Sequence, residues 1–541
     1  MPWTDQELDR MRQIGDVTVD PMAEEIIAGE KFDHTTGRLG YQKLLGLADL
    51  LLQAPELLLL DDARIGQALQ AMPKHFTDYF DPLPVPDWVD GKLLARASEI
   101  WDENMLAIIG VLYAGSLPSC YLIKHGIPTL YDTGKLGEHR FIYQRIYETG
   151  LMLDAVMQED GLKLFEDIPG PDGTAGRRFV WGRGFIAARK VRLLHASMRC
   201  MLLHPEHALP KDAHTSEAFA RSSIGALTAG ILQKPYDAEK LGKPVNQEDL
   251  AYTLLTFGYT IPVGLRAWGC RLSDADCEAF LHAWRLVGHI MGVQADLIPQ
   301  NFTDAGAFYA QVKKRQAGAS EQGRKLTRSL GGFLQDYLPG WMKRDLPMQL
   351  IATQLTPDET AMIRPEDTRT PPWWMRLLVW TGFKGLCLYY FAKTLLVRHF
   401  PPLKFALGRS FAIAGEALIN SWRDGYQRRP FWIPGSVNGG WQRETSMDEA
   451  MQEKLRTWRR TLFSTVILGV TCVVLAALLT LAMLLAIPFV FDLPAWVWAL
   501  LPCSVLICWM SAFSILTWRV KRVVAKRPGP KEPGNPELKP T

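Results

Sequence analysis

Gly182-Arg183-Gly184-Phe185-Ile186-Ala187-Ala188-Arg189-Lys190-Val191-Arg192-Leu193-Leu194-His195-Ala196-Ser197-Met198-Arg199 reads as a helix that carries one histidine beside its apolar stripe. Ala187, Val191, Leu194, Met198 and Met201 recur at alternating spacings of four and three, the period of a helix face turned toward a core. His195 borders that stripe, with Arg192 three residues before it and Arg199 four after. Both guanidinium groups are therefore expected on the histidine's side of the helix. An imidazole between two cations is expected to stay neutral, and neutral imidazole is the form that binds metal. A hydrogen-bonded core histidine is the competing reading, and this helix alone leaves both open.

Working outward, the pattern over 139–156 puts Phe141, Arg145, Thr149, Met152 and Val156 on one helical side, so a cation and a hydroxyl protrude together from an apolar wall. A salt bridge between Arg145 and Glu148 is the plain alternative. Residues 159–182, rich in Gly, Pro and Asp, read as a loop between these two helices. Downstream, Val245-Asn246-Gln247-Glu248-Asp249-Leu250 opens a further helix, with Asn246 as N-cap and Asp249 at the third helical position, a structural arrangement.

Arg145-Ile146-Tyr147-Glu148-Thr149, the His195 helix and the 245–250 stretch together resemble the haem-dependent oxygenase family of the bacterial rubber oxygenase (latex-clearing protein) and the membrane-bound prenyl-cleaving oxygenase of mycophenolic acid biosynthesis. The resemblance implies an all-α, globin-like core over roughly 87–434. It implies that His195 is the proximal ligand of a b-type haem iron and that Arg145 and Thr149 line the haem pocket. Where that family has a lysine directly before the threonine this chain has Glu148, a reversal of charge. Arg192 and Arg199 are the cations available for haem propionates. The implied reaction cleaves carbon–carbon double bonds of isoprenoids with O2, leaving carbonyl ends. Thr149 and His195 stand further apart than in the latex-clearing proteins, and the inserted 159–182 segment is expected to cover the pocket mouth.

Composition bounds the alternatives. The 541 residues are 48% hydrophobic and 22% charged with a formal net charge of +3, a folded chain with no electrostatic case for a nucleic-acid partner. Its cysteines form no Cys-x-x-Cys pair, which argues against a zinc ribbon, a thioredoxin-like site and covalent haem attachment, and fits a reducing compartment. No histidine has a carboxylate three residues before it, so the helical di-iron pattern is missing. Zincin, nucleophile-elbow, Walker and dinucleotide motifs are missing too. His282 and His289 read as packing residues, and His204-Pro205-Glu206-His207 as a turn.

Further helical patterns fall at about 91–114, 216–233, 247–268, 275–292, 305–315 and 323–338. They suggest a helical N-terminal extension over 1–80, a main domain over 81–440, a basic linker over 441–461, a transmembrane hairpin over 462–518 and a Pro-rich basic tail over 519–541. Residues 462–490 and 496–517 are each apolar for longer than a bilayer crossing requires. Lysines and arginines flank the outer ends of the pair and Asp492 alone marks the turn. An integral membrane protein is expected, with both hairpin ends and the catalytic domain in the cytoplasm. The aromatic stretch over 373–396 reads as a core helix ahead of an interfacial one. Removal of the chain after about residue 453 is expected to release a soluble domain.

The expected function is a membrane-anchored haem b oxygenase acting on a hydrophobic, isoprenoid-like molecule with O2, in contact with membrane lipid. Two alternatives stand beside it: a membrane-tethered helical binding or scaffold protein that has lost haem, and a haem peroxygenase of other specificity.

Overall fold

A computed structural model describes residues 3–29, 79, 85–132, 139–169, 175–179, 182–204, 235–335, 346–368, 371–399, 453–465 and 518–526, with a few isolated positions. The helices used below are α1 (Asp5–Arg12), α2 (Val19–Gly29), α3 (Gly91–Val111), α4 (His139–Met157), α5 (Arg183–Leu203), α6 (Gln247–Gly258), α7 (Thr260–Ala267), α8 (Asp274–Ile290), α9 (Phe302–Gln316), α10 (Glu321–Gln335) and α11 (Trp373–His399). The predicted pattern over 216–233 lies outside the described residues, as do most of the N-terminal extension over 1–80, the linker over 441–452 and most of 462–517.

The all-helical class holds with one correction. Within the segment read as a loop, Phe165–Pro169 (β1) and Ala175–Phe179 (β2) pair antiparallel. The register sets Glu166 opposite Arg178 and Asp167 opposite Arg177. These strands are too short to show the alternation by which strands are usually read.

α3 and α8 form the central packed pair, with α4, α6 and α5 against α8. Trp101 and Trp284 are buried there, and Phe257 stacks on Trp284 at 4.7 Å between ring centroids. α3 passes through a π-helical turn at Leu112–Ser116 into a short helix, Leu117–Tyr121. Pro118 has no N–H to offer the residue four before it, which accounts for the register shift. By length and composition Gly91–Tyr121 also meets the requirement for crossing a membrane, but 72% of its apolar window is buried. It is the core helix.

The pattern expected as one helix over 247–268 is two, α6 and α7. Pro262 cannot donate to the carbonyl of Gly258, and the chain breaks at Tyr259. Asn246 caps α6 as expected, its side chain accepting the N–H of Asp249 at 2.9 Å.

The first residues of the chain pack directly on this core, α1 against α6 and α2 against α5. Arg12 donates to Glu248 at 3.0 Å and to Asp249 at 2.9 Å. Glu248, fully buried, also receives Arg315 and Gln316, each at 3.2 Å. Burial drives its carboxyl above the ordinary value, against the opposing pull of Arg12.

Candidate functional site

α5 is positioned by its contact with α4. Gly184 lies where the two helices meet: its N–H donates to the carbonyl of Gly161 at 2.7 Å, and a Cβ there would come within 2.6 Å of the Val156 backbone. Only glycine admits that approach.

The faces of α5 differ from the sequence reading. Arg189, Lys190, Arg192 and Arg199 are buried, although four cations on one helix suggest a solvated face. Val191, Leu194, His195 and Met198, at spacings of three, one and three, are the half-buried positions in the middle of the helix. Of the stripe expected to be the core face, Ala187 and Met201 are buried, while Val191, Leu194 and Met198 pack against the core but stay half-buried. On α4, Thr149 and Met152 are half-buried in the same way, between the buried Gly150 and Leu153. The backbones of Arg145 and Glu148 belong to α4, but their side chains lie outside the described residues.

The burial of the cations has a definite cause. Arg192 forms a two-pronged ion pair with Asp16, Nε to Oδ2 at 2.5 Å and Nη2 to Oδ1 at 3.0 Å, and Nη1 donates to the carbonyl of Ile290 at 3.2 Å. Its guanidinium lies on Gly292, whose φ of +77° and close approach suit a residue without Cβ. Arg199 pairs with Asp20 through Nε at 2.7 and 2.9 Å and reaches the carbonyl of Val245 at 2.8 Å. Burial works to raise the Asp16 carboxyl, but the hydrogen bonds and charge of Arg192 outweigh it and hold the group below its ordinary value. Arg189 lies 3.6 Å over the Tyr79 ring, and burial lowers its pKa.

Two sequence expectations change accordingly. Arg192 and Arg199 are neither surface residues nor free cations beside a propionate, because carboxylates from the N-terminal segment already neutralise them. For the same reason the argument for a neutral imidazole from two uncompensated arginines does not apply to His195. Asp16 and Asp20 escaped the sequence reading; their spacing of four gives no hint of partners some 176 and 179 residues away. His282 is a packing residue as expected: its Nε2 accepts the N–H of Asp90 at 2.9 Å, and its ring meets Trp88 edge-on.

Among the described residues no three His, Cys, Asp or Glu side chains gather as a metal cluster. A multi-ligand metal centre has no basis there. Haem asks for less, a single protein nitrogen in an apolar surround. His195, among the half-buried apolar side chains of Val191, Leu194 and Met198, has that donor set.

Comparison with known proteins bears on the same helix. Residues 174–395 match the family described as ER-bound oxygenase mpaB/B'/Rubber oxygenase, catalytic domain. This segment belongs to that family. The family segment runs from β2 and α5, with His195, to α11; Arg145, Glu148 and Thr149 precede it. The rubber oxygenase of Streptomyces sp. (strain K30) is 28% identical over 155 residues, 29% of this chain and 32% of that protein. The chain thus matches about a third of that relative's length. A solved latex clearing protein, LCP, in its closed state aligns over 70% of this chain and 84% of its own, with a TM-score of 0.48 and 20% identity.

Proposed function

We propose that this protein is a membrane-anchored haem b oxygenase with a globin-like helical core, which cleaves carbon–carbon double bonds of a hydrophobic, isoprenoid-like substrate with O2. The observation that carries the reading is the half-buried apolar stripe in the middle of α5 with one imidazole, His195, inside the family's catalytic segment. When bound, haem b supplies the redox chemistry by which dioxygen adds across a double bond. His195 would hold the group through an imidazole nitrogen. Val191, Leu194, Met198 and Met152 would keep water from an apolar substrate. Thr149 would orient substrate or oxygen by hydrogen bonding, and Arg145 and Glu148 would set the field around it, while Arg192 and Arg199, already paired with Asp16 and Asp20, would hold the His195 helix in place.

Membrane anchoring rests on the two long apolar runs at 462–490 and 496–517. It is supported by the residues that flank them: Trp458, before the first, donates to the carbonyl of Val523, after the second, at 2.8 Å. Those two ends lie side by side, as a hairpin requires. On this reading the catalytic domain is cytoplasmic, and lipid delivers the substrate at high local concentration.

The test is spectroscopic first. The purified chain is expected to show a Soret band and to consume O2 with prenyl lipids rather than with water-soluble phenols. A chain without haem after supplementation is instead a binding or scaffold protein, and one that turns over only phenols is a different haem enzyme.

Thr149→Ala and Arg145→Ala are expected to keep haem while lowering oxygen consumption about tenfold to a hundredfold, the loss of about 1.5–3 kcal/mol that one charge-assisted contact carries. Glu148→Lys is expected to keep haem and change the apparent oxygen affinity. Pyridine haemochrome content and oxygen-electrode rates measure the two effects separately. A variant that loses haem in proportion to activity removes the assigned role.

A further inference from the structure

Along α11 one exposed face is largely apolar. Trp373 is 70% exposed, Leu377 50% and Trp380 56%, with Leu388 and Phe391 also exposed. Trp373, Leu377, Trp380, Leu388 and Phe391 recur at steps of four, three, eight and three, so they share one side of the helix, with Lys384 on the same line between Trp380 and Leu388. The opposite side carries the buried Met375, Tyr389 and Tyr390. This corrects the reading of the helix as a core element: it docks by one face and turns its aromatic face outward. An exposed apolar patch of this extent marks an interaction surface.

Its charges name the partner. Between Asp367 and Glu416 the chain has no acidic residue, while Arg369, Arg376, Lys384, Lys393, Arg398, Lys404 and Arg409 are all basic. On the described helix Arg376 and Lys384 are exposed beside the stripe, and the Lys384 ammonium lies 5.8 Å from the centre of the Trp380 ring. Tryptophan rings with long cationic side chains suit the headgroup layer, where the ring and methylene stems enter the acyl boundary and the charge meets phosphate. A soluble protein partner has no need of a stripe that is solely cationic along its polar border.

We infer that α11 lies in the surface of an anionic bilayer through the Trp373–Leu377–Trp380–Leu388–Phe391 stripe, with Arg376 and Lys384 on lipid phosphates. This contact is independent of the haem and of the apolar runs at 462–490 and 496–517. It also revises the expectation that loss of the C-terminal segment frees the domain from membranes, since α11 remains.

The test uses the full chain, recovered by flotation with phosphatidylcholine vesicles with or without phosphatidylglycerol. The vesicles carry a lipid with a photoactivated diazirine near its glycerol, and the labelled peptides are mapped. Peptides spanning 373–391 are expected to be labelled, and labelling is expected to fall at least about tenfold in Trp373→Glu/Leu377→Glu/Trp380→Glu. Arg376→Glu/Lys384→Glu is expected to lose the increase that phosphatidylglycerol produces. All five side chains are exposed, so unchanged circular dichroism in both variants keeps the comparison valid. Floated protein unlabelled over 373–391, or labelled equally in the triple variant, overturns the inference. So does crosslinking of this stripe to a second copy or to residues 400–461 instead of lipid.

Discussion

His195→Ala is expected to purify without haem and without a Soret band, while its helical circular dichroism stays close to that of the parent. The expectation follows from the donor set. Within the middle of α5 the half-buried side chains are Val191, Leu194, His195 and Met198; of the two that can bind iron, the imidazole is the proposed ligand and the Met198 thioether the alternative that the variant tests. An apolar slot still attracts a planar macrocycle through surface burial, at roughly 25 cal/mol per Å2, but without the iron–nitrogen bond neither orientation nor spectrum is fixed. His195→Gly supplies the complementary test, because free imidazole added to it is expected to restore the parent band. Removing a half-buried imidazole costs little packing, so a fold defect is not the expected cause of haem loss. If His195→Ala keeps full haem by pyridine haemochrome with an unchanged spectrum, another residue ligates iron and the proposed site moves with it.

How far the sequence disclosed this arrangement depends on the distance over which each feature is determined. The His195 helix was legible because the period of four and three is local, and α5 spans Arg183–Leu203 as that period suggests. The Asn246 cap was legible because it is written within four residues. How much of α5 is covered was not legible. Apolar periodicity assigns a single core side by default, but acids at positions 16 and 20 bury Arg192 and Arg199 as well, so the charged side of α5 is covered too. The aromatic face of α11 misled in the opposite sense, because composition cannot tell a buried tryptophan from an exposed one. Both errors share a physical origin: periodicity reports that two faces differ, while the partner that covers one of them is chosen by tertiary contacts. The β1–β2 ribbon was missed because its strands have five residues each, too few for a period of two to stand out from Gly- and Pro-rich surroundings.

Asp16→Asn is expected to be strongly destabilising. Asp16 is 2% exposed, and its carboxylate meets Arg192 by two hydrogen bonds while Oδ1 accepts the N–H groups of Thr18 and Val19 at 3.1 Å at the start of α2. The amide keeps the shape but removes the charge, leaving Arg192 buried with no compensating anion. Breaking such a pair costs about 3–5 kcal/mol. The pH dependence follows from the depressed carboxyl. A group whose folded value lies below its unfolded one stabilises the fold fully above the unfolded value, about 3.9, and loses that contribution as pH falls through the folded value. The gap between parent and variant should therefore be full at neutral pH and narrow only below about pH 4. Asp16→Asn/Arg192→Met removes both charges and is expected to recover most of the loss, since well-packed apolar replacements of buried pairs are close to neutral. Urea unfolding of the three proteins across pH measures this. A single variant within about 1 kcal/mol of the parent at neutral pH would place the pair among surface-like contacts, and so would a gap that does not change with acid. A large, acid-sensitive loss recovered in the double variant shows that Asp16 of the N-terminal segment holds the turn of α5 just before His195. The family match begins only at residue 174, so α5 would then depend on residues beyond that segment.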